Sequence, residues 1–394
     1  MLRSLSILLA AALAACPIAV GAQGTLSAQG FGYPPGQLST RARATAGAFG
    51  EFDPQSPINP AALSNWGRPA LFFQYDPEFR RSFAGAEEDR ARTSRFPVIA
   101  AALPIKQTLM FGIAASTLLD RTWGTRSTRR ELLGADSVTF IESSRSVGAI
   151  NDARLGVGWS RSKSLRLGAG LHLITGENTL RVRREFASTA FDTLDQTARL
   201  GYGGIAGSVG VETRLTQEIW LAGSYRLGGR MRAYSGDTTV AKARVPSRLG
   251  AALRYEGIRG LALAASANWT EWTSMRALGS ERLSVSDALD FGIGVEGRGP
   301  RWFESDIPLR AGYRRRTLPF TVAGKDKVTE SDLSVGFGIP LVRSRSSLDF
   351  GIERAWRQGI RAADVRVLQG ASQQDIRGAN ERAWTLSFGI LVRQ

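Results

Sequence analysis

Leu165-Arg166-Leu167-Gly168-Ala169-Gly170-Leu171-His172-Leu173 places apolar side chains at the odd positions and arginine, glycine and histidine at the even ones. Successive side chains on a strand point to opposite faces, so this stretch offers one face to lipid and the other to water. From Ala70 to the C-terminus the pattern recurs about fourteen times, separated by connections that are alternately short and long, which is how a transmembrane β-barrel reads. The predicted fold class is all-β: a transmembrane antiparallel barrel of about fourteen strands, the even count placing both chain ends on one side.

Other segments repeat the arrangement. Leu289, Phe291, Ile293 and Val295 are expected to meet lipid, as are Leu333, Val335, Phe337, Ile339 and Leu341, and Trp384, Leu386, Phe388, Ile390 and Val392 on the closing strand. The opposite faces collect charge: Arg166, Arg248, Arg254, Asp290, Glu296, Arg310, Asp349 and Glu353 are expected in the lumen, pairing across it and stiffening it. The tight connections, such as Pro104–Thr108, Ser162–Ser164 and Thr216–Gln217, are expected in the periplasm. The long, charged ones, Asp76–Arg95, Leu118–Ser146, Gly176–Ala198, Gly229–Pro246, Thr273–Ala288 and Arg357–Arg382, are expected outside the cell. Gly299–Pro308 is a longer turn on the short side.

Composition agrees with export into a membrane without helices. The hydrophobic fraction is 43%, and past the N-terminus no apolar run approaches the roughly 20 residues of a spanning helix. The 44 glycines suit crowded inner positions of a barrel. The formal charge is +16 and almost all arginine, the only lysines being Lys106, Lys163, Lys242, Lys325 and Lys327. These arginines are scattered singly through strands and loops with no basic helix or nucleic-acid motif, so outer-membrane lipid and lipopolysaccharide head groups are the expected anionic partners, not nucleic acid.

At the N-terminus Arg3 precedes an apolar stretch from Leu5 to about Ala19, and Val20-Gly21-Ala22 supplies the small residues of a cleavage site. Residues 1–22 are read as a secretory signal, which leaves the mature chain without cysteine. Leu13-Ala14-Ala15-Cys16 also resembles a lipoprotein box that would leave Cys16 lipidated, although the residues after it stay apolar where such proteins usually turn polar. Residues 23–68 lack alternation and are expected to form a compact segment of turns and short helices, with 69–394 the barrel. Within that segment, Asn59-Pro60-Ala61 has a capping residue followed by proline at the first helical position, a short-helix start.

Three passages resemble the FadL-type outer-membrane transporters of long-chain fatty acids and other hydrophobic compounds. Arg43-Ala44-Thr45-Ala46-Gly47-Ala48-Phe49, followed by Ile58-Asn59-Pro60-Ala61-Ala62-Leu63, is similar to that family's N-terminal region. Val245-Pro246-Ser247-Arg248-Leu249-Gly250 leading to Asn268-Trp269-Thr270-Glu271-Trp272-Thr273 is similar to its Pro … Leu-Gly … Trp-Thr-x-Trp passage. Leu318-Pro319-Phe320 through Ser334–Leu341 to Ser347–Gly351 resembles a late hairpin of the FadL-like subgroup. The chain departs from the pattern at Ala46-Gly47, at Ala62 and at its end, Val392-Arg393-Gln394, where many such proteins finish on an aromatic residue.

The resemblance implies a barrel in the outer membrane of a Gram-negative-type bacterium, its lumen blocked by an N-terminal hatch over residues 23–68; a monomer is expected. A hydrophobic or amphiphilic small molecule would bind among the outer loops, move to a pocket over the hatch and leave sideways through the wall. Lateral exit into hydrocarbon regains roughly 0.8 kcal/mol per buried CH₂. The resemblance also reaches PorV-type barrels, which serve as secretion or assembly scaffolds, and that is the alternative function. Phe49, Trp269 and Trp272 are the candidate substrate contacts, the two tryptophans being read first as girdle aromatics near the outer rim.

Enzyme chemistry is not expected. The single histidine, His172, is an inward strand residue read as polar filler, since a hydrolase would need a serine and an orienting group beside it. One histidine and no mature cysteine cannot build a histidine–cysteine metal site, and no cofactor motif is present.

Overall fold

The computed structural model describes residues 31–394 except 85–86, 134–135, 189, 279–284, 303–304, 323–325, 342–345 and 359–379. The signal segment, Cys16 and the first residues of the plug lie outside that range.

Seventeen strand segments form a single sheet. Three strands are each interrupted once, so the segments make fourteen strands: β1 (Ala70–Ala84), β2 (Glu87–Arg95 and Val98–Lys106), β3 (Leu109–Asp120 and Trp123–Leu133), β4 (Asp136–Ser160), β5 (Leu165–Phe186), β6 (Leu194–Arg214), β7 (Ile219–Ser235), β8 (Thr238–Arg244 and Arg248–Ile258), β9 (Leu261–Thr270), β10 (Ala288–Trp302), β11 (Ser305–Val322), β12 (Asp326–Leu341), β13 (Ser346–Gln358) and β14 (Asn380–Arg393). Each pairs antiparallel with its neighbours, and β14 closes on β1 from Ala70↔Arg393 to Phe83↔Asn380. Closure removes the free edges that an open sheet would expose to lipid.

The alternation read from the sequence sets the two faces. Phe291, Ile293, Val335, Phe337 and Trp384 are exposed on the outside. Glu353, Asp349 and Arg310 are buried inside. Most expected outer loops turn out to be strand instead. Asp76–Arg95 is the top of a β1–β2 hairpin paired through Ala84↔Glu87, and Leu118–Ser146 is largely a β3–β4 hairpin running to Leu133↔Asp136. Above the membrane the ladder still saturates the backbone while the outer face no longer needs apolar residues, so the hydrophobic signal stops before the strand does. The longer turn over Gly299–Pro308 also shrinks, because β10 and β11 run through Trp302 and from Ser305.

Residues 31–68 fill the lumen. They carry one short helix, α1 (Thr40–Ala44), capped by the Ser39 side chain, and 3-10 turns at Gly50–Phe52 and Pro60–Trp66. The last is stopped by Gly67 at φ 65, a left-handed end that glycine takes without a Cβ clash. No helix among the described residues is long and apolar enough to cross a membrane, which says nothing of a barrel.

Candidate functional site

The plug sits on a lane of glycines along the inner wall. A Cβ on Gly168 would lie 2.2 Å from the Pro60 carbonyl carbon, one on Gly210 1.9 Å from Asn59 Oδ1, and one on Gly312 2.5 Å from the Thr45 carbonyl carbon. Without side chains the wall lets plug backbone approach strand backbone directly. Asn59 Oδ1 accepts from the Ala61 N–H at 3.0 Å, and its Nδ2 donates to the Glu51 carbonyl at 2.9 Å and the Val211 carbonyl at 3.4 Å. One side chain therefore caps the Pro60 turn and ties it to β6.

Ion pairs reinforce this seat. Arg41 reaches Glu296 at 2.7 Å, Glu296 also takes Arg310 at 2.7 Å, and Arg310 continues to Asp349 at 2.5 Å. Arg43 meets Asp76 at 3.2 Å and Glu353 at 3.4 Å. Glu51 of the plug pairs with Arg248 at 2.7 Å. Arg314 holds Asp290, and Arg166 holds Glu212. Arg254 stacks 4.8 Å from the Phe52 ring centre. The eight charged residues expected in the lumen thus lie on its inner face, engaged with plug or wall.

Above the seat the lumen changes character. Phe31, Leu118, Leu119, Ile150, Ile174, Met231, Trp272, Met275, Leu318 and Phe320 belong to one buried apolar cluster, with Phe31 edge-on to Trp272 at 6.2 Å. Beneath it lies a cavity of about 90 Å³ bordered by Gln37, Leu38, Arg226, Asn268, Trp272 and Arg316, among others. Trp272 therefore turns inward, on a 3-10 turn (Trp272–Leu278) that follows β9, where a girdle residue would face out. Trp269 keeps the outward face, opposite Leu249 and Leu289. Phe49 packs against Ala48 and Ala264 and does not border the cavity.

The wall beside this cluster is incomplete. β2 and β3 pair from Lys106↔Leu109 up to Val98↔Ser116. Higher up, β2 pairs only with β1, and β3 only with β4, among the described residues. Pro97, which has no N–H to donate, ends the lower part of β2. β3 breaks after Asp120, whose side chain accepts from the Thr122 N–H at 2.9 Å. The vacant edge is taken by the plug: Tyr33 N–H donates to the Asp120 carbonyl at 2.7 Å and the Asp120 N–H to the Tyr33 carbonyl at 2.8 Å.

Tyr33 is enclosed by guanidinium groups. Arg357 lies 4.5 Å, Arg95 and Arg316 5.2 Å, and Arg80 5.6 Å from the ring centre. The hydroxyl donates to Glu330 at 3.0 Å and accepts from Arg357 at 2.9 Å. Burial pushes the phenol up to about 12, against the lowering pull of Arg316 and Arg357. Sequence reasoning missed Phe31 and Tyr33, and the adjacent apolar pairs such as Leu118-Leu119, which break the alternation, were the available signal.

His172 is not isolated filler. Its Nδ1 lies 2.8 Å from Asp152 Oδ1 and its Nε2 2.8 Å from Ser208 Oγ, the order of a hydrolase triad. All three are buried. Asp152 is shared with Gln37 of the plug and with Arg226, and neither His172 nor Ser208 borders the cavity. The trio ties β4, β5 and β6 together and, through Gln37, extends into the plug.

No protein-family model and no curated protein sequence matches the chain. Solved structures do. A Pseudomonas aeruginosa FadL homologue superposes with a TM-score of 0.59 at 14% identity, over 92% of this chain and 99% of that one. The Pseudomonas putida toluene transporter TodX gives 0.56 at 15% identity, over 90% and 97%. The CymD monoaromatic hydrocarbon channel gives 0.55 at 12% identity, over 91% and 97%. The closed fourteen-stranded wall and its N-terminal plug are thus the FadL-type fold.

Proposed function

We propose that this protein is an outer-membrane channel for passive uptake of hydrophobic or amphiphilic compounds, without enzyme activity, exported by a signal cleaved after Ala22 and working as a monomer. The observation that carries this reading is the apolar cluster inside an otherwise ion-paired lumen, placed beside the unpaired edges of β2 and β3. A solute displacing Phe31 would sit on Trp272, Leu118 and Leu119 and, once Tyr33 leaves Asp120 and the Arg95–Asp120 ion pair parts, have a way out between the two strands into hydrocarbon. Each CH₂ kept from water contributes roughly 0.8 kcal/mol, so a sideways path holds an apolar solute where a water-filled pore would not.

The cavity of about 90 Å³ is smaller than the roughly 150 Å³ known to admit benzene, so uptake requires the Phe31–Gln37 segment to move. Phe31→Ala should raise the rate of uptake of small aromatics several-fold and leave the conductance for ions at its closed level. The general test is uptake of labelled toluene and labelled fatty acids by cells with and without the protein. Unchanged uptake of every apolar probe, with secreted proteins co-purifying, would replace this reading with the scaffold one. The neighbours of known cargo support an apolar solute; the choice between fatty acid and aromatic hydrocarbon is what the two labels decide.

A further inference from the structure

On the outer face of β13, β14, β1 and β2, the apolar band ends abruptly in arginine. Along β14 the outward residues run Val392, Ile390, Phe388, Leu386, Trp384 and then Arg382; along β1 they run Leu71, Phe73, Tyr75, Pro77, Phe79 and then Arg81. The register aligns the change across all four strands. Arg92, Phe79, Trp384 and Arg354 form one row, and Arg90, Arg81, Arg382 and Trp356 the next. Counting upward from Arg393 at the periplasmic end, the first row stands about 25 Å high, the height of a barrel's apolar band.

Arg81 therefore lies directly opposite Arg90 on one side and Arg382 on the other. The guanidiniums are held by aromatic rings: Arg354 lies 4.6 Å from the Trp384 ring centre and 5.7 Å from that of Trp356, and Arg382 lies 5.6 Å from Phe83. Stacking on an aromatic face leaves the N–H edge of a guanidinium able to bond a phosphate. Among the described residues neither Arg354 nor Arg382 makes an ion pair. These side chains border an open cleft of about 550 Å³ with no carboxylate among its described lining.

We propose that this cleft binds the phosphorylated head group of an outer-leaflet glycolipid of the lipid A type, with Arg354 and Arg382 as the phosphate-gripping pair. The planar fork of arginine suits bidentate phosphate contact. The surface below the cleft suits acyl chains, because Ile352, Phe350, Phe388, Tyr75 and Phe73 continue downward on the same face, with Phe350 stacked edge-on to Phe388 at 5.7 Å. Charge at head-group height and apolar area beneath it is the profile of an anionic lipid and not of a soluble phosphate. The site rests on the outer-membrane reading for its orientation only: a lipid bound there would stay bound whether or not the lumen carries a solute.

The test is native mass spectrometry of the full chain, released from detergent after incubation with bis-phosphorylated lipid A, with dephosphorylated lipid A or with phosphatidylethanolamine. Lipid A should remain attached to the unaltered protein, and the double variant Arg354→Gln/Arg382→Gln should retain at least about tenfold less. Arg145→Gln/Arg199→Gln, which removes two exposed arginines from other strands, should retain the full amount, and heat-modifiable migration in gels will show that each barrel is folded. Arg354→Lys/Arg382→Lys should fall between, since lysine keeps charge without the stacked fork. Equal retention by the Gln double variant, equal binding of the dephosphorylated lipid, or release of lipid A by millimolar inorganic phosphate would each overturn the proposal. Hydrocarbon uptake measured on the same variants separates the two readings, because loss of the lipid site leaves the lumen intact.

Discussion

The lower and upper halves of the lumen hold the plug by different mixtures of contact. Below, plug backbone lies against glycine backbone and is bound by charge: Asn59 on Gly210 and β6, Glu51 on Arg248, Arg41 on Glu296. Above, residues 31–37 touch the wall through apolar packing at Phe31, through a two-bond bridge from Tyr33 to Asp120 and through the Tyr33 hydroxyl on Glu330 and Arg357, beside strands that do not pair. Directional contacts with buried charges hold one geometry, because leaving a partner alone is costly. Apolar contacts exchange readily for other apolar contacts. The difference assigns closure to the lower half and exchange with solute to the apolar cluster around Phe31 in the upper.

The largest effect should come from removing the plug altogether. Deleting residues 23–65 should leave an inserted barrel, since strand closure from Ala70 to Arg393 does not involve the plug, and it should conduct small ions freely. Conductance at the intact protein's level in planar bilayers would show that the segment does not seal the lumen. A single side chain should achieve part of this. Gly210→Leu needs space held by Asn59 Oδ1, and overpacking of this kind costs about 1–3 kcal/mol, enough to raise the open fraction about fivefold to a hundredfold. Gly207→Leu, where nothing lies within 4 Å, should change nothing in the same recording.

These two glycines also show how far the sequence could be read. Both sit in one alternating strand, so strand, faces and barrel were legible from periodicity, and the even strand count followed from it. That Gly210 receives Asn59 while Gly207 faces outward into open space depends on which plug residue lands where, and no periodic signal encodes a docking between distant segments. Asn59-Pro60 announced its turn because capping is local. The outer hairpins stayed hidden because their pairing needs no apolar face. Tyr33 and Phe31 stayed hidden because a few residues without regular structure carry no period at all.

The ion pairs of the lower half offer a smaller effect and a sharper one. Glu51→Gln leaves the mostly buried Arg248 without its carboxylate, and should cost about 3 kcal/mol of plug stability, read as earlier proteolysis of the segment in denaturant. Glu51→Gln/Arg248→Gln should recover a large part of that loss, because the penalty comes mainly from the stranded charge. If the double variant were as weak as the single one, packing and not charge would hold the lower half, and the contrast with the upper half would narrow.

The smallest effect probes the upper half through Tyr33. Its phenol is pushed up to about 12 from an ordinary 10.0, so the packed state favours the protonated form. Stability from this group is complete below about pH 10 and is lost as the pH rises through 12, because the released segment ionises first. A tenfold difference in proton affinity is worth roughly 1.4 kcal/mol, so about 2 kcal/mol should disappear across that window. Protease access to residues 31–37 should therefore rise between pH 10 and 12 in the unaltered protein, while Tyr33→Phe should start from a weaker hold and stay flat. Cleavage within the Pro60–Trp66 turn should stay unchanged over the same window in both proteins, since the seat below does not depend on the phenol. A common pH dependence for the two regions would mean that plug and upper segment move as one body, and gating would then require the whole plug to leave its glycine seat.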